Sequence, residues 1–98
     1  MNYTCEKVIL NFIDGLSEGE EGSVSSSKTV TIHGNQLFHY NTPIIERCDG
    51  NFILNVSRYS LVTGQLQKKI KSFLPEGYQI VKGVKADYKG SLLDFVSG

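Results

Sequence analysis

From Thr4 to Leu16 the apolar side chains recur at helical spacing: Val8, Ile9, Phe12, Ile13 and Leu16 stand at i, i+4 and i+8. Thr4 can cap this stretch, Glu6 falls in its first turn and Gly15 can stop it, so the pattern predicts a helix over 4–16. Its β-branched content leaves a strand as the alternative. From Thr29 the period changes to two. Thr29 to His33 alternates with Val30 and Ile32 on one face, Gly34-Asn35 turns the chain, and Gln36 to Asn41 forms a second strand that Thr42-Pro43 breaks. Ile44 to Cys48 is a third strand. Asp49-Gly50 is a type I′ hairpin signal, and Asn51 to Val56 follows with Phe52, Leu54 and Val56 on one face. These connections are too short for parallel crossovers.

Ser60 then caps a second helix over 61–74, with Val62, Leu66, Ile70, Phe73 and Leu74 as its apolar stripe. Pro75 and Gly77 end it. Tyr78 to Ala86 alternates as another strand, and Leu92 to Val96 adds a short one after the Lys89-Gly90 turn. The expected fold class is α+β: a twisted antiparallel sheet, a meander of about five strands, with two helices packed on one face. An uncovered second face would be solvated or an interface, a homodimer among the options.

The chain has 98 residues, which fits a single domain over 1–98. A 40% hydrophobic and 20% charged composition excludes a wholly disordered or fibrous chain. The longest apolar stretches, Val8-Ile9-Leu10 and Phe52-Ile53-Leu54, are far short of a membrane span. No basic start followed by a long apolar run marks a signal peptide. Cys5 and Cys48 are too few for a disulfide framework, so free thiols in a cytoplasmic protein are expected.

The formal charge is zero, but it is split. Residues 1–50 hold three basic against seven acidic side chains, and residues 51–98 hold seven against three, giving −4 and +4. Residues 17–27 carry Glu18, Glu20 and Glu21 among glycines and serines, a composition that predicts a flexible loop. With Asp14 this cluster is a candidate mimic of nucleic-acid phosphates; calcium is disfavoured because the EF-hand spacing is missing. Lys68, Lys69, Lys71, Lys82 and Lys85, with Tyr78 and Tyr88 nearby, are candidates for a phosphate backbone or an acidic protein surface. Solvated faces explain both clusters equally simply.

Catalytic signatures are missing: no Gly-x-Ser-x-Gly elbow, no Walker-type loop and no Gly-x-Gly-x-x-Gly occurs. A non-enzyme is therefore expected. Two cysteines and two histidines (Cys5, His33, His39 and Cys48) match the stoichiometry of a tetrahedral zinc site. None of them forms a Cys-x-x-Cys or His-x-x-x-His pair, so no metal is favoured, and zinc enters only as a stabiliser of a binding protein.

Residues 34–67 carry a longer pattern. It runs Gly34-Asn35-Gln36-Leu37-Phe38-His39-Tyr40-Asn41-Thr42-Pro43-Ile44-Ile45, then Asp49-Gly50-Asn51-Phe52-Ile53-Leu54-Asn55, then Tyr59-Ser60-Leu61-Val62-Thr63-Gly64-Gln65-Leu66-Gln67. This resembles a family of small phage and mobile-element proteins of uncharacterised function. The sequence departs from that pattern at Ile45, where the family has Ala, at Val62 for Thr, at Gly64 for Ser and at Leu66 for His. Read physically, Ser60 caps a helix, Thr63 bonds back to the cap and Tyr59 packs beneath it; the alternative is a helix start that receives an anion. The resemblance implies a context: small phage proteins without catalytic residues often bind host machinery, as anti-CRISPR and other anti-defence inhibitors do. The expected function is a non-catalytic inhibitor of a host protein, most sharply a CRISPR effector nuclease. Its candidate contacts are Glu18, Glu20 and Glu21, or Arg58 and Tyr59 with Lys68, Lys69 and Lys71. A small nucleic-acid-binding protein using the lysine face is the alternative.

Overall fold

The computed structural model describes residues 3–96. Thr4 opens α1 (Cys5–Ile13) by accepting the Lys7 N–H on its hydroxyl at 3.1 Å. The helix stops at Ile13 rather than Leu16, because Gly15 takes a φ of 102° and turns the chain away. No basic residue lies in the last turn of α1, but Arg47 reaches it from the sheet. Its guanidinium donates to the carbonyl oxygens of Phe12 and Ile13 and lies 4.8 and 5.3 Å from the ring centroids of Phe12 and Phe52. Cation, helix terminus and two aromatic faces thus meet in one contact.

The sheet contains β1 (Val30–His33), β2 (Gln36–His39), β3 (Thr42–Cys48), β4 (Asn51–Asn55) and β5 (Gln79–Val81), in that spatial order. The first four pair antiparallel, as their short turns require. At Asp49-Gly50 both residues have positive φ, 49° and 80°, the type I′ combination. Pro43 lies within β3 instead of breaking the chain before it. The register slips between Leu37 and Phe38 opposite, and a bulge is where a sheet tolerates a proline.

β5 runs parallel to β4, so the sheet is mixed and not wholly antiparallel as expected. The cause is α2 (Leu61–Phe73), which occupies the connection and serves as a crossover. β5 is also shorter than the alternation of residues 78–86 predicts; Gly83 takes a φ of 74° just beyond it. Leu92–Phe95 forms a 3₁₀ turn, not a strand. Ser91 caps it by accepting the Leu93 N–H.

Both helices pack on one sheet face. Val8, Ile9 and Phe12 of α1 and Ile70 of α2 join Val30, Ile32, Leu37, Ile45, Phe52 and Leu54 in one buried cluster. Ile53 points to the opposite face, where Val81, Val84 and Leu92 bury it in a second cluster. The C-terminal segment is held there by the buried Glu46 carboxylate, which accepts from the Leu92 N–H, the Ser91 hydroxyl and the Gln36 amide. Within residues 17–27, Ser23 and Ser25 are buried and pair with β1: the Ser25 N–H donates to the Val30 carbonyl and the Ile32 N–H to that of Ser23. Among the described residues, no helix is long and apolar enough to cross a membrane.

Candidate functional site

The start of α2 departs most from its sequence pattern. Helical spacing predicts Val62 as the first residue of the buried stripe, yet Val62 is 63% exposed. The residues that turn inward are Thr63, Gln67, Ile70 and Leu74, polar at the start and apolar at the end. The polar pair is accommodated because every donor finds an acceptor. The Gln67 amide donates to the carbonyls of Asn55 and Ser57 at 2.8 and 3.0 Å. The Asn55 amide donates to the Pro43 carbonyl and the Tyr59 hydroxyl, both at 2.8 Å. That hydroxyl in turn donates to the Val84 carbonyl at 2.6 Å, while the Val84 N–H donates to the Ser57 hydroxyl. Ser60 accepts the Thr63 N–H at 3.2 Å, and the Thr63 hydroxyl lies 3.0 Å from His39 Nδ1. Residues of the longer sequence pattern therefore form two hydrogen-bonded groups that fix α2 to the sheet, Asn55, Tyr59 and Gln67 in one and Ser60, Thr63 and His39 in the other. Tyr59 belongs to the first group, and only part of its ring reaches the surface.

With its inward face taken by polar residues, the first turn of α2 presents apolar side chains to solvent. Leu61 is 80% exposed, Tyr40 65% and Val62 63%, the three most exposed large apolar residues described. Tyr40 also holds a φ of 58°, a left-handed conformation rare for an aromatic residue. On one side of this turn lies an open groove of about 500 Å³, between the β4–α2 connection and the α2 surface. Arg58, Leu61, Gly64 and Lys68 border it, and its lining holds no carboxylate. On the other side a hollow of about 310 Å³ lies against Cys5, His39, Tyr40, Val62, Leu66 and Lys69. Burial pushes the His39 pKa below its ordinary value, which keeps the ring neutral near pH 7.

The acidic residues are committed locally. Glu18 accepts the Gly34 N–H at 2.7 Å and lies 3.4 Å from His33 Nδ1; the backbone N–H first and His33 second hold its carboxyl below the usual range. Glu20 accepts the Ser17 N–H at 2.7 Å. Glu21 stands against Tyr3, whose hydroxyl pKa rises through desolvation and then through that carboxylate. Lys69 pairs with Glu6 at 2.8 Å and ties α2 to α1. Lys68 and Lys71 are exposed, and only Lys68 borders the groove with Arg58.

The four zinc candidates do not converge on one point, although Cys5 and His39 both border the second hollow. Cys5 lies 3.4 Å from the Thr29 hydroxyl, His33 by Glu18, His39 by Thr63 and Cys48 by Asp49. Burial, then Asp49, raises the Cys48 thiol pKa. Among the described residues, no group of three or more His, Cys, Asp or Glu side chains is placed to hold a metal ion.

Leu61, Val62, Tyr40 and Gly64 escape a reading by sequence. Val62 reads as a core helix residue, and the inward turn of Thr63 and Gln67 leaves it facing outward. No family model matches the chain, and neither a curated protein nor a solved structure matches it.

Proposed function

We propose that this chain is a non-catalytic interaction protein of phage or mobile-element origin. It binds and inhibits a host protein in the bacterial cytoplasm, and a CRISPR effector nuclease is the sharpest candidate target. The observation that carries the reading is the exposure of Leu61 and Val62 on the first turn of α2, with Tyr40 sharing a hollow with Val62: these are the most exposed large apolar side chains described. A surface of this kind costs solubility in an isolated domain and gains value when a partner covers it. Inhibition would be steric, by covering the partner's nucleic-acid entry or blocking a conformational step.

This surface fits a protein partner better than the acidic loop does. Glu18 and Glu20 already accept backbone N–H groups, which leaves them poorly disposed to imitate phosphates. Lys69 is paired with Glu6, which weakens the lysine face as a nucleic-acid site.

Affinity capture with the tagged protein, from a bacterial lysate containing a CRISPR effector, tests the reading. The expected result is one stoichiometric host protein that survives nuclease treatment. The Leu61→Ser/Val62→Ser double variant should lower its capture by about tenfold or more, as loss of an apolar anchor does. Reversing Glu20 and Glu21 to lysine should leave capture within about twofold. Recovery of nucleic acid alone, or of proteins lost on nuclease treatment, would replace this reading with the nucleic-acid-binding one.

A further inference from the structure

Gly64 lies inside α2, where a glycine is less favourable than an alanine because it loses more backbone freedom. Most glycines here have a backbone reason, because their φ is positive. Gly64 has none: its φ is that of an ordinary helix, and an added Cβ would meet nothing within 4 Å. Packing does not require it either, for the residue is exposed. What it does is leave the helix surface bare between Leu61 and Lys68, one turn to either side, on the border of the 500 Å³ groove. A helix surface bare of side chains lets another chain approach its backbone closely.

The charges around the groove state what would enter it. Arg58 and Lys68 border it from the connection and from α2, no carboxylate lines it, and neither makes an ion pair among the described residues. Leu61 and Val56 supply apolar surface. Two cations are too few to hold a nucleic-acid backbone firmly, since each phosphate contact adds only one released counterion. The ring of Tyr59 is half-buried with its hydroxyl bonded on both sides, so it is no free platform for a base.

We infer that this groove is a peptide-docking site for an acidic segment of a partner protein: an apolar side chain of that segment seats over Gly64 against Leu61, and flanking carboxylates pair with Arg58 and Lys68. The inference rests on the protein-binding reading above and specifies its site. Charge-assisted bonds to arginine would fix the register, and the apolar anchor would supply most of the affinity.

Panning a random peptide display library against the intact protein tests it. The expected consensus combines two or more Asp or Glu residues with one bulky apolar residue. A fluorescein-labelled consensus peptide, followed by anisotropy, should lose about tenfold in affinity with Gly64→Leu, which fills the groove, and about fivefold or more with Arg58→Glu. Lys71→Glu, away from the groove, should stay within about twofold. Melting curves accompany each variant, and the Arg58 reversal keeps the test valid if Gly64→Leu loses its fold. A consensus without acidic residues, or affinity indifferent to both Gly64→Leu and Arg58→Glu, overturns the assignment. So does tighter binding of oligo-dT than of the peptide, or self-association abolished by Gly64→Leu, which would give the groove to a second copy. Capture of the host protein that persists with Gly64→Leu would refute the groove while leaving the protein-binding reading intact.

Discussion

His39 illustrates how a single residue links burial to solution behaviour. Its ring is buried between β2 and α2 with Nδ1 on the Thr63 hydroxyl, and burial depresses its pKa below the ordinary 6.5. In the unfolded chain the ring takes a proton at higher pH than in the fold. Between the two pKa values the unfolded state therefore binds more protons, so stability rises with pH across that window. The contribution is complete above about 6.5 and falls as the pH drops toward the lower folded value. Urea unfolding at a series of pH values should show a loss of stability below about 6.5 that shrinks in His39→Gln. A slope identical in both proteins would mean that carboxylates alone set the acid limb. Glu46 presents a different case at the same scale: this buried carboxylate makes no ion pair among the described residues and accepts from three donors of β2 and the C-terminal segment.

Elements whose signals are local were legible in the sequence. Thr4 and Ser60 cap the two helices because an N-cap is chemistry between near neighbours. The Asp49-Gly50 hairpin follows for the same reason. What failed depended on partners far along the chain. Pro43 enters β3 because the opposing strand slips its register, and β5 runs parallel because a helix intervenes. Val62 faces solvent because Gln67 finds acceptors on Asn55 and Ser57 across the connection. The candidate site was legible only in part: Arg58 and Lys68 were named from the sequence, whereas Leu61, Val62 and Gly64 needed the helix rotation and Tyr40 the left-handed turn between β2 and β3. That rotation carries a stability prediction. Gly64 sits in an open, helical position, so Gly64→Ala should raise the unfolding free energy by about 0.5–1 kcal/mol in urea titration. A loss of stability would show that the glycine serves the fold, and would remove the reason for assigning it to a partner.

At the scale of the whole molecule, one sheet serves two apolar clusters. Phe52 and Leu54 face the helices, and Ile53 between them faces the C-terminal segment, so β4 belongs to both. The second cluster is small, and its 3₁₀ turn is held by Leu92 within and by Glu46 at its start. Because the two share β4 and the Glu46 contacts, they should unfold together rather than peel apart. Leu92 is fully buried, so Leu92→Ala should cost about 2–4 kcal/mol. Its neighbour Leu93 is 48% exposed, and Leu93→Ala should change stability by about 0.5 kcal/mol or less. The two variants differ by one position and carry the same chemical change, so the contrast isolates burial. In Leu92→Ala, far-ultraviolet circular dichroism and tyrosine fluorescence should still report one coincident transition at a lower midpoint, with the denaturant slope unchanged. Tyr88 packs beside the second cluster and contributes to the fluorescence signal. An early fluorescence transition ahead of the loss of helix would show that the C-terminal segment is a separable cover, leaving Ile53 and Val81 as an exposed face on which copies of the chain could associate.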